Sequence, residues 1–363
     1  MDRMLQSVTI GERILEVPVI QGGMGIGVSR SRLAGAVARE GGMGVISAAQ
    51  VGYDQPDFRR DPEGANLRAL KQQIHRAREL SEGRGLIGVN LMAVTQLYED
   101  YVRACIEAGA DAIISGAGLP VSLPKDAEGS DILLAPIVSS ARAAHLILRT
   151  WDKHYQTCPD FIVVEGSEAG GHLGFSREEL EEGRCQPLDA IVREVLGLLA
   201  PYEERYQKKI RVFAAGGIFD GNDIARMLRL GADGVQMATR FIATYECDAA
   251  DSFKQAVLQC TKEDIRLIKS PAGLPGRALN TRFIRRVEGQ TICMNDCLRC
   301  MKPCDPSHTP YCISEALITS VSRDAQDGVV FVGANAWRID SLLHVSQLLT
   351  QLKEEANASL KEN

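Results

Sequence analysis

Short apolar runs alternate with longer amphipathic ones along the first two thirds of the chain. Eight of the short runs read as strands: Val17–Ile20, Gly44–Ser47, Leu86–Leu91, Ala112–Ser115, Ile132–Val138, Phe161–Val164, Ile210–Ala214 and Gly234–Met237. Each is almost continuously apolar and rich in Val and Ile, the pattern of a strand covered on both faces. Between them apolar residues recur at helical spacing. Leu33, Ala34, Val37 and Ala38 share one face of a helix over 31–38, and Leu67, Leu70, Ile74, Ala77 and Leu80 share one over 66–80. Segments 98–108, 141–150, 188–199 and 222–230 follow the same pattern. Gly41, Gly109 and Gly231 stand where helix ends need a left-handed residue. The phrase Ala108–Ala112 recurs as Leu230–Gly234, as if one βα unit were reused.

Eight strands alternating with helices predict an α/β fold, a (β/α)8 TIM barrel. A doubly wound sheet competes with it, but that fold carries G-x-G-x-x-G after its first strand. Here Gly23 and Gly25 are followed by Val28 where the third glycine belongs. The alternation stops after about residue 242. The expected division is a ligand-binding barrel over 1–245 and a helical lid with a Cys-rich C-terminal extension over 246–363. Further helices are expected near 249–260, 311–322 and 341–358.

Of the 363 residues 45% are hydrophobic and 24% charged, ordinary for a globular protein, and the net charge of −6 argues against nucleic acid or an anionic membrane as partner. No apolar stretch reaches the roughly 18–20 residues of a membrane span. The N-terminus lacks the apolar core of a signal peptide, so a cytoplasmic location is expected.

In a parallel barrel the ligand sits at the carboxyl ends of the strands, and the unusual residues fall there. The loops concerned are Gln21–Gly25, Asn90–Met92, Ser115–Pro120, Glu165–His172, Gly216–Gly217 and Ala238–Arg240. Gly170 and Gly171 let backbone approach a flat ligand closely, and His172 is the side chain best suited to moving a proton near neutral pH. The amides of Gly216 and Gly217, aided by the N-terminus of the next helix, suit a phosphate dianion, with Thr239 completing the cradle. Gln21, Gly22, Gly23 and Met24 suit the face of a planar ring, and Asn90 its edge. Together these are the parts of a flavin mononucleotide (FMN) site.

The segments Pro18–Gly25, Gly88–Met92, Glu165–His172, Ala215–Ile218 and Gly234–Phe241 resemble, in order and position, those of the nitronate monooxygenase superfamily. That group, formerly the 2-nitropropane dioxygenases, includes the flavin-dependent enoyl-ACP reductases of type II. The resemblance covers about residues 12–285. It implies FMN, a barrel with a small lid, and His172 as the residue that removes or positions the substrate proton. Glu165 fits the reductase-like branch, since glutamine is frequent there in nitronate-oxidising members. Ala238 replaces the glycine of the family's Gly-Thr pair. Glu168 departs from an apolar pocket; binding a cation, orienting the loop and facing water are equal readings of it.

The strongest feature outside the barrel is a run of cysteines. Cys297, Cys300, Cys304 and Cys312 read C-x2-C-x3-C-x7-C, with Cys293 as a spare and His308 nearby. Such spacing suits a [4Fe–4S] cluster, resembling locally that of iron–sulfur flavoenzymes related to 2,4-dienoyl-CoA reductase, or a structural zinc. Free thiols packing a lid with no metal are the first reading, ahead of the cluster and of zinc. Cys312 opens a helix-like run, whose N-terminal dipole favours a thiolate. The remaining cysteines, Cys105, Cys158, Cys185, Cys247 and Cys260, are scattered and read as free thiols.

Three functions follow from these features. The first is FMN-dependent oxidation of alkyl nitronates with O2. The second is NAD(P)H-dependent reduction of an enoyl thioester on the same flavin site. The third is a flavin-binding redox sensor or electron-transfer protein that uses the cysteines. The oligomeric state is left open.

Overall fold

The computed structural model describes residues 4–292, 297–302 and 304–362. Strands β1 (Val8–Ile10) and β2 (Arg13–Leu15) form an antiparallel hairpin that the apolar pattern did not predict. Eight parallel strands follow: β3 (Val19–Gln21), β4 (Met43–Ser47), β5 (Leu86–Met92), β6 (Ala112–Gly116), β7 (Leu133–Val138), β8 (Phe161–Glu165), β10 (Arg211–Ala215) and β11 (Gly234–Met237). They close in the order β3-β4-β5-β6-β7-β8-β10-β11 into one barrel, the fold the alternation predicts. Each lies within two residues of its expected position. The short β9 (Gly171–His172) leaves the barrel and pairs with β13 (Pro275–Leu279), which pairs in turn with β12 (Ile265–Lys269).

The barrel interior is a packed core. Ile20, Met43, Val45, Ile114, Ala135, Val163 and the edge-to-face pair Phe161–Phe213 fill it, with ring centroids 5.5 Å apart, and Val8, Ile10 and Leu15 of the hairpin plug its base. Outside, the apolar faces of the helices cover the strands. Helix Ser31–Arg39 lies so close to β4 that a Cβ on Gly44 would collide with the Ala34 carbonyl.

The repeated phrase has a shared structural task. Asp111 and Asp233 precede β6 and β11, and their carboxylates accept the amides of Ile87 (2.7 Å) and Val212 (2.8 Å) one strand back. Their own amides donate to the carbonyls of the same two residues. Asp160 does the same for Leu134 before β8. Gly41, Gly109 and Gly231 follow helices at φ of 86, 71 and 102.

The boundary expected at 245 differs in one respect. The last helix, Val345–Lys361, packs its Leu348, Leu349, Leu352 and Ala356 into the layer around the barrel, against the helices Gly221–Leu230 and Ser31–Arg39. It occupies the place of the barrel's eighth helix. Residues 243–344 are therefore an insertion between the eighth strand and its helix, not a terminal appendage. Among the described residues no helix is long and apolar enough to cross a membrane.

Candidate active site

The six expected βα loops, joined by Ala49 and Gln50 of the loop after β4, converge on a cavity at the carboxyl ends of the strands. Of the residues expected there, Gly22, Gly23, Met24, Asn90, Glu165, Gly170, Gly171, His172, Gly216, Gly217, Ala238 and Thr239 line it. Gln21 does not. Its side chain is buried within the barrel wall, where it accepts the Val45 amide at 3.1 Å and donates to the Gly22 carbonyl.

The glycines give the cavity its shape. A Cβ on Gly23 would collide with Asn90, one on Gly170 with the backbone of Val332, and one on Gly217 with the Glu168 carboxylate. Gly216 and Gly217 both adopt φ 86, a conformation that strains any L side chain. They turn the chain directly after β10, where Ala215 lies opposite Glu165 of β8. The expected help from the following helix is absent. Asp220 accepts the amides of Asn222 (3.0 Å) and Asp223 (3.2 Å), and Glu355 accepts that of Gly221 (2.9 Å), so carboxylates already cap this helix. A loop from the insertion packs against these glycines and Thr239 instead. The Gly333 amide donates to Thr239 Oγ1 at 2.9 Å, Asn335 Nδ2 to the Gly217 carbonyl at 2.9 Å, and the Ala334 amide to the Glu168 carbonyl at 3.0 Å. These residues were missed in the sequence. The available signal was Val329–Val332, an apolar run ending in small residues, as the barrel loops do.

Arg240 also reaches the cavity, stacked over Phe219 at 4.5 Å and donating to the Phe219 carbonyl at 3.2 Å. Arg277 donates to the carbonyls of Ser167 (2.7 Å) and Ala169 (2.6 Å), fixing the loop between β8 and β9.

Glu165 and His172 end and follow the same strand, and both open on the cavity. Burial pushes the Glu165 carboxyl up to about 8 and the His172 imidazole down to about 4. At neutral pH both are therefore uncharged. His172 Nε2 lies 2.7 Å from Ser270 Oγ, and its ring meets Phe331 edge-to-face at 5.1 Å. Its strand is held by pairing with β13, opposite Gly276. The imidazole is thus fixed by the insertion as much as by the barrel.

The cysteine run does not form a metal centre among the described residues: no group of three or more ligand side chains converges. Cys297 is exposed and its Sγ accepts the Arg299 amide at 3.3 Å, while Cys300 Sγ accepts the Ser314 hydroxyl at 3.2 Å. Cys304 and Cys312 are half-buried. Cys312 does cap the helix Ile313–Ser322, but burial outweighs the dipole and pushes its thiol up to about 11. Cys293 lies outside the described residues. Of the four proposed ligands only Cys300 lines the cavity. The scattered cysteines are free, as expected.

A parallel barrel whose glycine loops enclose an acid and an imidazole at the carboxyl ends of its strands is the frame of a barrel oxidoreductase. The chain belongs to the nitronate monooxygenase family, whose profile matches residues 7–355. It is 27% identical over 274 residues to a (3aS,4S,5R,7aS)-5-hydroxy-7a-methyl-1-oxo-octahydro-1H-indene-4-carboxyl-CoA dehydrogenase of Mycobacterium tuberculosis, covering 76% of this chain and 66% of that protein. The match to the Rhodococcus jostii protein of the same name covers 65% of it, so the chain spans slightly less than two thirds of these relatives' length. It is 25% identical over 293 residues to a "Probable nitronate monooxygenase" of Staphylococcus aureus, covering 75% of this chain and 78% of that protein. Its backbone resembles that of FabK from Thermotoga maritima, with a TM-score of 0.72 and 25% identity over 95% of this chain and 94% of that one.

Proposed function

We propose that the chain is an FMN-dependent oxidoreductase that oxidises alkyl nitronates. The observation that carries this reading is the uncharged pair Glu165 and His172 on one cavity. An undissociated carboxyl offers an O–H to an anionic oxygen. An imidazole held at about 4 is a weak base at neutral pH. This suits a substrate that arrives with its acidic proton already lost, as a nitronate does, better than one from which a C–H proton must be drawn. His172 then positions the anion, through a ring fixed by Ser270 and Phe331.

The glycine loops fit FMN, because backbone reaches the cavity where side chains would fill it. Gly216, Gly217 and Thr239 would hold the phosphate, with Arg240 as the cation within reach, and Gly22, Gly23, Met24 and Asn90 would line the ring. Bound there, FMN supplies a two-electron acceptor that O2 can reoxidise. The loop carrying Gly333 and Asn335 is bonded to that side of the cavity.

A thioester redox reaction with NAD(P)H is the second reading. The carboxyl-CoA dehydrogenase relatives favour it, as does an apolar arm of the cavity formed by Met92, Tyr101, Leu298, Met301 and Leu317. Anaerobic mixing of the FMN-loaded protein with each reductant separates the two. Bleaching of the flavin by an alkyl nitronate, and not by NADH or NADPH, is expected. Bleaching by a nicotinamide followed by reoxidation with an enoyl-CoA overturns the first reading in favour of the second.

A further inference from the structure

The cysteine run needs an explanation that the barrel site does not provide. Residues 297–302 fold over the cavity mouth as part of its wall. Met301 bridges Thr95, the Gln96 amide donates to the Cys300 carbonyl at 3.2 Å, and the Lys302 amide donates to the Val94 carbonyl at 2.9 Å. Leu298, Arg299, Cys300 and Met301 all line the cavity. Cys300 is the hub of the group, close enough to Cys297, Cys304 and Cys312 for each pair to interact electrostatically.

Two members differ in a way that matters for thiol chemistry. Cys297 is exposed, and the turn through Arg299, at φ 47, brings the Arg299 amide onto its sulfur. Its sulfur is therefore open to solvent, where it can attack a peroxide. Cys300 is half-buried three residues on, and its sulfur accepts the Ser314 hydroxyl at 3.2 Å. The first is placed to be oxidised and the second to resolve it.

We propose that Cys297 and Cys300 form a peroxide-driven, reversible disulfide that reshapes the cavity mouth. This inference stands independently of the substrate assigned above. The Cys297 thiolate attacks one oxygen of hydrogen peroxide, the O–O bond breaks, and hydroxide leaves a sulfenic acid on Cys297. The Cys300 sulfur then attacks the Cys297 sulfur, the S–O bond breaks, and hydroxide leaves with the Cys300 proton as water. Two thiols lose one electron each, and one peroxide becomes two waters. The bond joins the two ends of the segment that carries Leu298 and Arg299, both of which line the cavity.

The test uses the full chain, reduced with dithiothreitol under anaerobic conditions, freed of the reductant and exposed to one equivalent of hydrogen peroxide. The expected result is the loss of two titratable thiols, a peptide cross-link between Cys297 and Cys300, and recovery of both thiols on adding dithiothreitol again. Cys297→Ser is expected to prevent the cross-link. Cys300→Ser is expected to leave a sulfenic acid on Cys297, trapped by dimedone, which keeps the assignment testable if the cross-linked form is short-lived. A cross-link that joins Cys300 to Cys304 or Cys312 overturns the proposal. So does an unreacted Cys297, or iron or zinc bound to these thiols in protein purified without oxygen.

Discussion

Glu165 makes the stability of the protein depend on pH in an unusual direction. Its carboxyl is held at about 8, against an ordinary value of 4.5, because it is buried at the end of β8 with no cation beside it. Between those two values the folded chain keeps a proton that the unfolded chain has already lost. Raising the pH therefore favours the unfolded state across this window. Stability is fully present below the lower value, falls through the window, and levels off above the upper one. The slope for one such group is about 1.4 kcal/mol per pH unit, so the loss between about pH 5 and about pH 7 is at most about 2.7 kcal/mol. The carboxyl opens on a cavity that admits water when no ligand is bound, and screening there reduces the loss to roughly half that figure. Glu165→Gln keeps the size and an N–H donor but cannot ionise. Urea unfolding of the flavin-free protein at the two pH values, for the native chain and Glu165→Gln, measures the difference directly. The variant is expected to gain stability relative to the native chain as the pH rises, by about 1–2 kcal/mol over this interval. An equal difference between the two proteins at both pH values would show that Glu165 ionises normally and refute the reasoning. The same substitution is expected to flatten an alkaline fall in turnover near pH 8.

Replacing Gly217 by Val adds a side chain at φ 86 against Glu168, and is expected to weaken FMN binding at least about tenfold by fluorescence titration while the far-UV circular dichroism persists. His172→Ala is expected to retain bound flavin and to lose kcat/KM for the nitronate by roughly a hundredfold; unchanged kinetics would remove the imidazole from the reaction. Gly44→Ala drives a methyl into the Ala34 carbonyl, and a loss of at least about 2 kcal/mol in urea unfolding is expected, whereas a neutral result would mean that the helix Ser31–Arg39 can slide off β4.

The barrel was legible because its strands are buried on both faces, so their apolar runs stand out from amphipathic neighbours. The hairpin Val8–Leu15 escaped notice because its strands have only three residues each, too few for a period to show. The glycine loops were legible for a similar reason: Gly23, Gly170, Gly171, Gly216 and Gly217 mark places where a Cβ cannot fit or φ is positive. The partners that fix the site were not legible. Ser270, Phe331 and Asn335 reach it from a segment whose pairing, through β9 and β13, joins residues far apart in the chain. No local pattern encodes such a meeting. Gln21 misled because a polar residue at a strand end reads as ligand-facing, whereas here it bonds to backbone inside the wall. The cysteine spacing carries less. Intervals along the chain bring the sulfurs into one neighbourhood around Cys300, but whether three of them converge on one point depends on backbone turns such as Arg299 at positive φ, and among the described residues no three do.

The position of the helix Val345–Lys361 bears on how the protein is made. A ribosome releases the eighth strand of the barrel well before this helix, and residues 243–344 emerge in between. Until then the apolar flank of helix Gly221–Leu230 has no cover, and the ring stays open at that seam. Closing it requires the ends of a long intervening segment to come together, an entropic cost that falls once the segment has condensed into its own fold. Nascent chains stalled before residue 345 should thus expose a sticky seam and depend on chaperones, and emergence of the helix should release them.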